Sequence, residues 1–168
     1  MVHYFAYGSN MLGQRLQARV GAVAVVGPAR LDEHVHSFCK LGRDGTGKGS
    51  ITPCPGSAVY GVVYRLTDEQ LTTLSSFEGG YRQISLVVHC LGEDGDDGAT
   101  GILAAESFCA IRPVTPLAPT AEYVAYYERG MSEHDLPAEY RAAILAQAHQ
   151  LWQAVKSEPG PGPGGTPR

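Results

Sequence analysis

Strand-like runs in this chain lie ahead of residue 112 and the long helical patterns lie behind residue 119, and that segregation rules out most folds. A parallel βαβ sheet needs a substantial crossover helix between successive strands, and only short helical segments are available between these runs. The opening run Val2-His3-Tyr4-Phe5-Ala6-Tyr7 is aromatic and branched and ends at Gly8. Ser9 or Asn10 can then cap a short helix through Met11, Leu12 and Leu16. From Ala22 to Leu41 a β-branched run interrupted by Gly27 and Pro28 predicts one or two strands, followed by a glycine-rich connection over 42–49. Ala58 to Leu66 and Tyr81 to Leu91 read as strands, the latter through the alternation of Ile84, Leu86 and Val88 with Ser85, Val87 and His89. A further strand falls near 100–111, after an acidic turn over 92–98.

Thr67-Asp68-Glu69-Gln70 has the form of a capping box, with Leu71 and Leu74 supplying a short apolar stripe. Thr120 can cap a helix that stops near Gly130, and Pro137 opens a longer one with Ile144, Leu145, Ala148, Leu151 and Trp152 on one side. Roughly six strands with the helices gathered late predict an α+β fold around a closed or nearly closed sheet. A chain of 168 residues buries roughly 70% of the surface its unfolded form exposes, so one core is expected. That core belongs to a single domain over 1–156. The Pro- and Gly-rich tail over 157–168 has nothing to bury and is expected to be disordered.

Composition narrows the ligands. The net charge is -4 with no cluster of Lys and Arg, which gives no electrostatic footprint for nucleic acid or an anionic membrane. Small molecules are the expected partners. No window approaches the ~18 consecutive apolar residues that span a bilayer. The start has no basic region followed by a long apolar stretch, so a cytoplasmic location is expected. Cys39, Cys54, Cys90 and Cys109 stand singly, never at metal or redox spacing, and read as free core thiols.

Two local features carry chemistry. At Tyr7-Gly8-Ser9-Asn10 a strand meets a helix through a glycine turn, and the amides of Gly8, Ser9 and Asn10 can hold an anionic group such as a carboxylate. The bland alternative is a simple helix cap. At Phe77-Glu78-Gly79-Gly80-Tyr81 an acid sits between a helix end and a strand, beside two glycines. The negative end of the helix dipole and the apolar Phe77 both favour a raised carboxyl pKa, which suits a general acid/base. The bland alternative is a solvated loop glutamate.

Taken together, the YGSN turn after a first strand, Val59-Tyr60-Gly61-Val62-Val63-Tyr64, FEGGYR, and Tyr123 followed by Gly130, Glu133, Leu136-Pro137 and Glu139-Tyr140 resemble the γ-glutamyl cyclotransferases in the same order, over residues 2 to about 145. The resemblance implies a small mixed β-barrel flanked by helices. It implies Glu78 as the catalytic carboxylate, Tyr7, Gly8, Ser9 and Asn10 as the substrate-binding turn, and Tyr81 and Tyr123 as pocket residues. It also implies a cofactor-free reaction on a γ-glutamyl compound, in which the α-amine attacks its own γ-carbonyl to give 5-oxoproline and an amine. The chain departs from the animal enzymes in a shorter turn from Glu78 to Tyr81, and in Glu106 and Phe108 where those enzymes place a tyrosine. The LPxEY block leans toward the branch acting on γ-glutamyl amino acids. A non-catalytic binding module on the same scaffold is the competing reading, and a monomer and a homodimer are both left open.

Other constellations are weaker. Gly42 to Gly49 nearly matches a phosphate-binding loop, but Gly49 stands where Ser or Thr is required, and a hairpin loop fits better. His34 and His36 share a strand face and with His89 form a remote metal possibility; no metal is expected. Ser9 has neither a nucleophile elbow nor a partnered histidine.

Overall fold

The computed structural model describes residues 1–91 and 101–157. The expected acidic turn and all of the expected tail except Ser157 lie outside them. Along the chain run β1 (Val2–Ala6), a single 3-10 turn (Ser9–Met11), α1 (Gly13–Val20), β2 (Ala24–Leu41), β3 (Gly47–Leu66) and α2 (Asp68–Phe77). They are followed by β4 (Tyr81–Cys90), β5 (Ile102–Ala110), α3 (Ala121–Glu133) and α4 (Ala138–Ser157). The strands close into a barrel in the order β1-β3-β2-β4-β5. The fold is therefore α+β with a mixed barrel, built from five described strands instead of about six.

The difference in count has a local cause. Gly27 and Pro28 do not end a strand; the register shifts between Val25 and Gly27, and the ribbon continues with Pro28 opposite Val62. β3 likewise starts at Gly47, well before the expected Ala58. Its pairing jumps from Asp32↔Ala58 to His34↔Pro53, so residues 54–57 bulge out and take Pro55 and Gly56 out of the ladder. Glu33 lies opposite at a positive φ of 57°, and its carboxylate accepts from the Gly56 amide.

β1 pairs antiparallel with β3 and meets β5 in parallel at Tyr4↔Glu106, closing the barrel. Both its faces are buried, which explains a run without alternation. Phe5 and Tyr7 join a cluster of strand residues including Leu31, Val59, Val63 and Val88. Tyr4 and Ala6 point the other way, into a second cluster with Leu16, Leu74, Tyr127 and Met131 of the helices. Phe5 and Leu16 are fully buried, and each such side chain contributes roughly 1.5–3 kcal/mol.

The capping box forms as expected: the Thr67 hydroxyl accepts from the Gln70 amide and the Gln70 side chain accepts from the Thr67 amide. Thr120 caps α3 by accepting from the Tyr123 amide. That helix does not stop near Gly130 but runs through it to Glu133. Gly130 is a packing residue, because a Cβ there would lie 2.6 Å from the Leu12 amide nitrogen and 2.8 Å from the Met11 carbonyl carbon. Pro137 stands immediately before α4, its carbonyl accepting from the Arg141 amide. No described helix is long and apolar enough to cross a membrane. All four cysteines are free; Cys39 and Cys109 are buried, whereas Cys54 and Cys90 are only partly so.

Candidate active site

The turn after β1 is built differently from a capped helix. Ser9 to Asn10 form only one 3-10 turn with Met11, and the helix proper begins at Gly13. Neither the Ser9 nor the Asn10 side chain caps it. Ser9 Oγ instead accepts from Arg15 Nε at 3.0 Å, and the Gly13 amide donates to the Glu133 carboxylate at 3.3 Å. So short a turn carries little macrodipole, and any hold on an anion must come from the amides themselves.

Asn10 is buried and works as a hub. Its Nδ2 donates to Tyr4 Oη at 3.0 Å and to Glu78 Oε1 at 3.2 Å, while its Oδ1 accepts from Arg19 Nη1 at 3.1 Å. Arg19 Nη1 also donates to Glu78 Oε1 at 3.3 Å. Glu78 sits at the C-terminus of α2, where the chain turns through Gly80 at a φ of 83° into β4. Its side chain is only 14% exposed. Among the described residues Oε2 has no hydrogen-bond partner, which leaves that oxygen available. Burial pushes the Glu78 carboxyl upward, against the lowering pull of Arg19, Asn10, Lys40 and Arg15. The burial does not come from Phe77, as the sequence had suggested: Phe77 is 53% exposed and its ring lies beside the Arg19 guanidinium.

Glu78 opens onto the same hollow as the turn. The hollow, about 40 Å³ and open at its mouth, is lined by Tyr4, Tyr7, Gly8, Ser9, Asn10, Gly49, Glu78, Tyr81, Phe108 and Tyr123. Every residue predicted for the site is therefore in one place. Tyr7 donates to the Phe108 carbonyl, so its hydroxyl fixes the wall. Tyr81 donates to the Gly49 carbonyl at 2.7 Å, and the Tyr123 hydroxyl accepts from the Gly49 amide at 3.1 Å. Burial raises the phenol pKa of Tyr4, Tyr7, Tyr81 and Tyr123. These rings stay neutral at physiological pH and serve as walls and hydrogen-bonding groups.

Of the two residues at which the later strand departs, Phe108 lines the hollow, tilted against Tyr4 with ring centroids 6.1 Å apart. Glu106 instead accepts from Gln83 and Ser85 on the neighbouring strand. The LPxEY block packs: Leu136 is buried, and Tyr140 lies on Tyr60 with centroids 5.0 Å apart. His36 is buried against Tyr127 and Gln147, His34 turns to the Asp32 carbonyl, and His89 pairs with Asp32. Among the described residues no group of three or more His, Cys, Asp or Glu is placed to hold a metal.

Sequence reasoning missed Tyr4, Arg15, Arg19 and Gly49. The two arginines had a signal: they stand four residues apart, on one helical face, directly after the binding turn. Gly49 had drawn notice only as a failed phosphate loop. Its requirement is spatial, since a Cβ there would lie 1.8 Å from the Tyr127 hydroxyl.

A closed barrel thus gathers a largely buried carboxylate, a backbone turn and a set of tyrosines around one hollow. The chain belongs to the gamma-glutamyl cyclotransferase, AIG2-like family, whose model matches residues 4–112. It is 27% identical over 150 residues to the human gamma-glutamylcyclotransferase, covering 85% of this chain and 77% of that one. The mouse gamma-glutamylcyclotransferase is 26% identical over 151 residues, with the same coverage. A solved structure of a gamma-glutamyl cyclotransferase superposes with a TM-score of 0.75 at 27% identity, covering 86% of each chain.

Proposed function

We propose that this protein converts a γ-glutamyl compound into 5-oxoproline and a free amine or amino acid, with Glu78 as the proton carrier. The observation that carries this reading is the meeting of the Glu78 carboxylate and the Gly8–Asn10 turn in one hollow, joined through the Asn10 side chain. In the reaction the substrate α-amine attacks its own γ-carbonyl. The new C–N bond closes a five-membered lactam and the original amide C–N bond breaks. An α-amine with a pKa of about 8 is mostly protonated at neutral pH, and attack requires loss of a proton. One proton is lost to solvent as the amine becomes nucleophilic; Glu78 Oε2 takes the second as the C–N bond forms and delivers it to the departing nitrogen, so a neutral lactam and a neutral amine result and the proton count closes without a cofactor.

A raised carboxyl pKa supports both roles, because it makes the ionised form more basic and the protonated form accessible near neutrality. Proton transfer of this kind contributes about 10²- to 10⁴-fold. The remainder comes from geometry. Turn amides holding the α-carboxylate would fold the glutamyl chain so that amine and carbonyl approach, which converts binding into effective concentration. Walls of Tyr7, Phe108, Tyr81 and Tyr123 keep the carbonyl in a partly desolvated setting where a developing oxyanion responds more strongly to nearby dipoles.

The test is 5-oxoproline release by wild type and Glu78→Gln. The amide keeps the shape and the hydrogen bonds to Asn10 and Arg19 in altered polarity but cannot carry the proton. Release should fall by at least about 10²-fold while donor binding persists. A Glu78→Gln protein that turns over at the wild-type rate removes Glu78 from the chemistry.

A further inference from the structure

Beyond Glu78 the hollow continues into a wider basin of about 350 Å³ that shares Ser9, Glu78, Tyr81 and Tyr123 with it. Five cations line this basin: Arg15, Arg19, Lys40, Arg43 and Lys48. In a protein of net charge -4, more than a third of its 13 Lys and Arg residues converge on one concavity. Two carboxylates answer them. Glu78 pairs with Arg19, and Asp44 pairs with Lys48 at 2.9 Å. Among the described residues neither Lys40 nor Arg43 has a carboxylate within ion-pair distance. Lys40 lies over the Tyr81 ring at 5.1 Å.

The two glycines after Glu78 admit these cations. A Cβ on Gly80 would lie 3.0 Å from Lys40 Cε, and one on Gly79 would lie 3.5 Å from Arg43 Nη2. Both side chains thus lie against the two residues that follow the proton carrier, on its outer side. With the glutamyl group in the inner hollow, the amide to be broken lies at Glu78 and the leaving amine extends into the basin. Resting on the cyclotransferase reading, we infer that this protein prefers γ-glutamyl donors whose leaving amine carries two carboxylates, an acidic amino acid, with Lys40 and Arg43 receiving the second carboxylate. Charge-assisted pairing with the partly buried Lys40 and the exposed Arg43 beside it confers such selectivity, whereas the surrounding aromatic surface would accept a neutral side chain equally well.

The decisive comparison is γ-glutamyl-glutamate against γ-glutamyl-glutamine, which differ by one carboxylate, assayed as 5-oxoproline release at low ionic strength. The ratio of kcat/KM values should favour the acidic donor by about tenfold or more, the gain of one charge-assisted bond. It should shrink at high salt and fall toward one in the Lys40→Gln/Arg43→Gln double variant. A folding defect in that variant lowers both rates and leaves the ratio alone, so the ratio reads the contact itself. Equal or inverted preference in wild type, or a ratio untouched by the double substitution, overturns the inference while leaving the cyclotransferase reading intact. No 5-oxoproline from either donor or from a wider set of γ-glutamyl dipeptides and amines overturns both.

Discussion

Replacing Gly49 with alanine tests whether the tyrosine cage around the hollow is as tightly built as it looks. The new Cβ would stand 1.8 Å from the Tyr127 hydroxyl and 2.8 Å from His36 Nε2, where ordinary contact begins at 3.4 Å. Either Tyr127 or the β3 backbone must move by roughly 1.5 Å. Tyr127 cannot yield easily: it is fully buried, its ring packs on Phe38, His36 and Tyr123, and its hydroxyl is bonded to His36. The backbone is held in turn by Tyr81 and Tyr123. Overpacking a well-filled core costs about 1–3 kcal/mol, and this site belongs at the upper end. For a domain of this size that lowers Tm by roughly 5–10 °C. Because the displaced Gly49 carries the Tyr81 and Tyr123 hydroxyls, kcat/KM for 5-oxoproline release should fall about tenfold or more, the scale of an ångström-sized misplacement. Gly101→Ala is the control, since among the described residues a Cβ there meets nothing within 4 Å. Thermal unfolding and turnover of the two variants decide the matter: a Gly49→Ala protein that matches the Gly101→Ala protein in both refutes the cage.

Arg19→Gln removes the strongest influence holding the Glu78 carboxyl down; since Glu78 must be ionised to accept the amine proton, the acid limb of the kcat/KM profile should move to higher pH, and an unmoved or lowered limb would contradict the proposed role. His36 supplies a pH dependence of stability. Burial pushes its pKa down from 6.5 to about 4, so the unfolded chain binds a proton in that interval and the folded chain does not. Stability is full above pH 6.5, falls by roughly 3 kcal/mol as pH drops to about 4, and loses nothing further from this group below that. His36→Gln should erase this segment of the slope in urea unfolding followed across pH, whereas an unchanged slope would mean that the imidazole titrates freely in the fold.

Much of this architecture was written locally. Thr67 and Thr120 announce their helices because a capping hydroxyl acts within three residues, and the structure needs nothing distant to confirm them. Glu78 and the turn after Tyr7 were legible as odd placements, an acid at a helix end and a glycine where a strand stops. What stayed hidden was set by packing between segments far apart in the chain. Gly130 looks like a helix stop until Met11 and Leu12 are seen against it. Ser9 and Asn10 look like caps until Arg15 and Glu78 claim their side chains. Phe77 looks like an apolar cover for Glu78, yet it is 53% exposed and its ring lies beside Arg19. The early start of β3 was masked by Pro53 and Pro55, of which the bulge sets only Pro55 aside.

The stretch that identifies the family ends at residue 112, yet the ligand-facing turn is braced from beyond it. Gly130 lets α3 press on Met11 and Leu12, Glu133 anchors the Gly13 amide, and Tyr123 supplies part of the rim. A version of this protein trimmed to the family-defining stretch would keep β2 to β5, most of β1 and Glu78 while losing the buttress that gives the turn its shape. The smallest piece that keeps the hollow intact is therefore longer than the signature by which the chain is recognised, and its C-terminal third shapes that hollow as much as the first ten residues do.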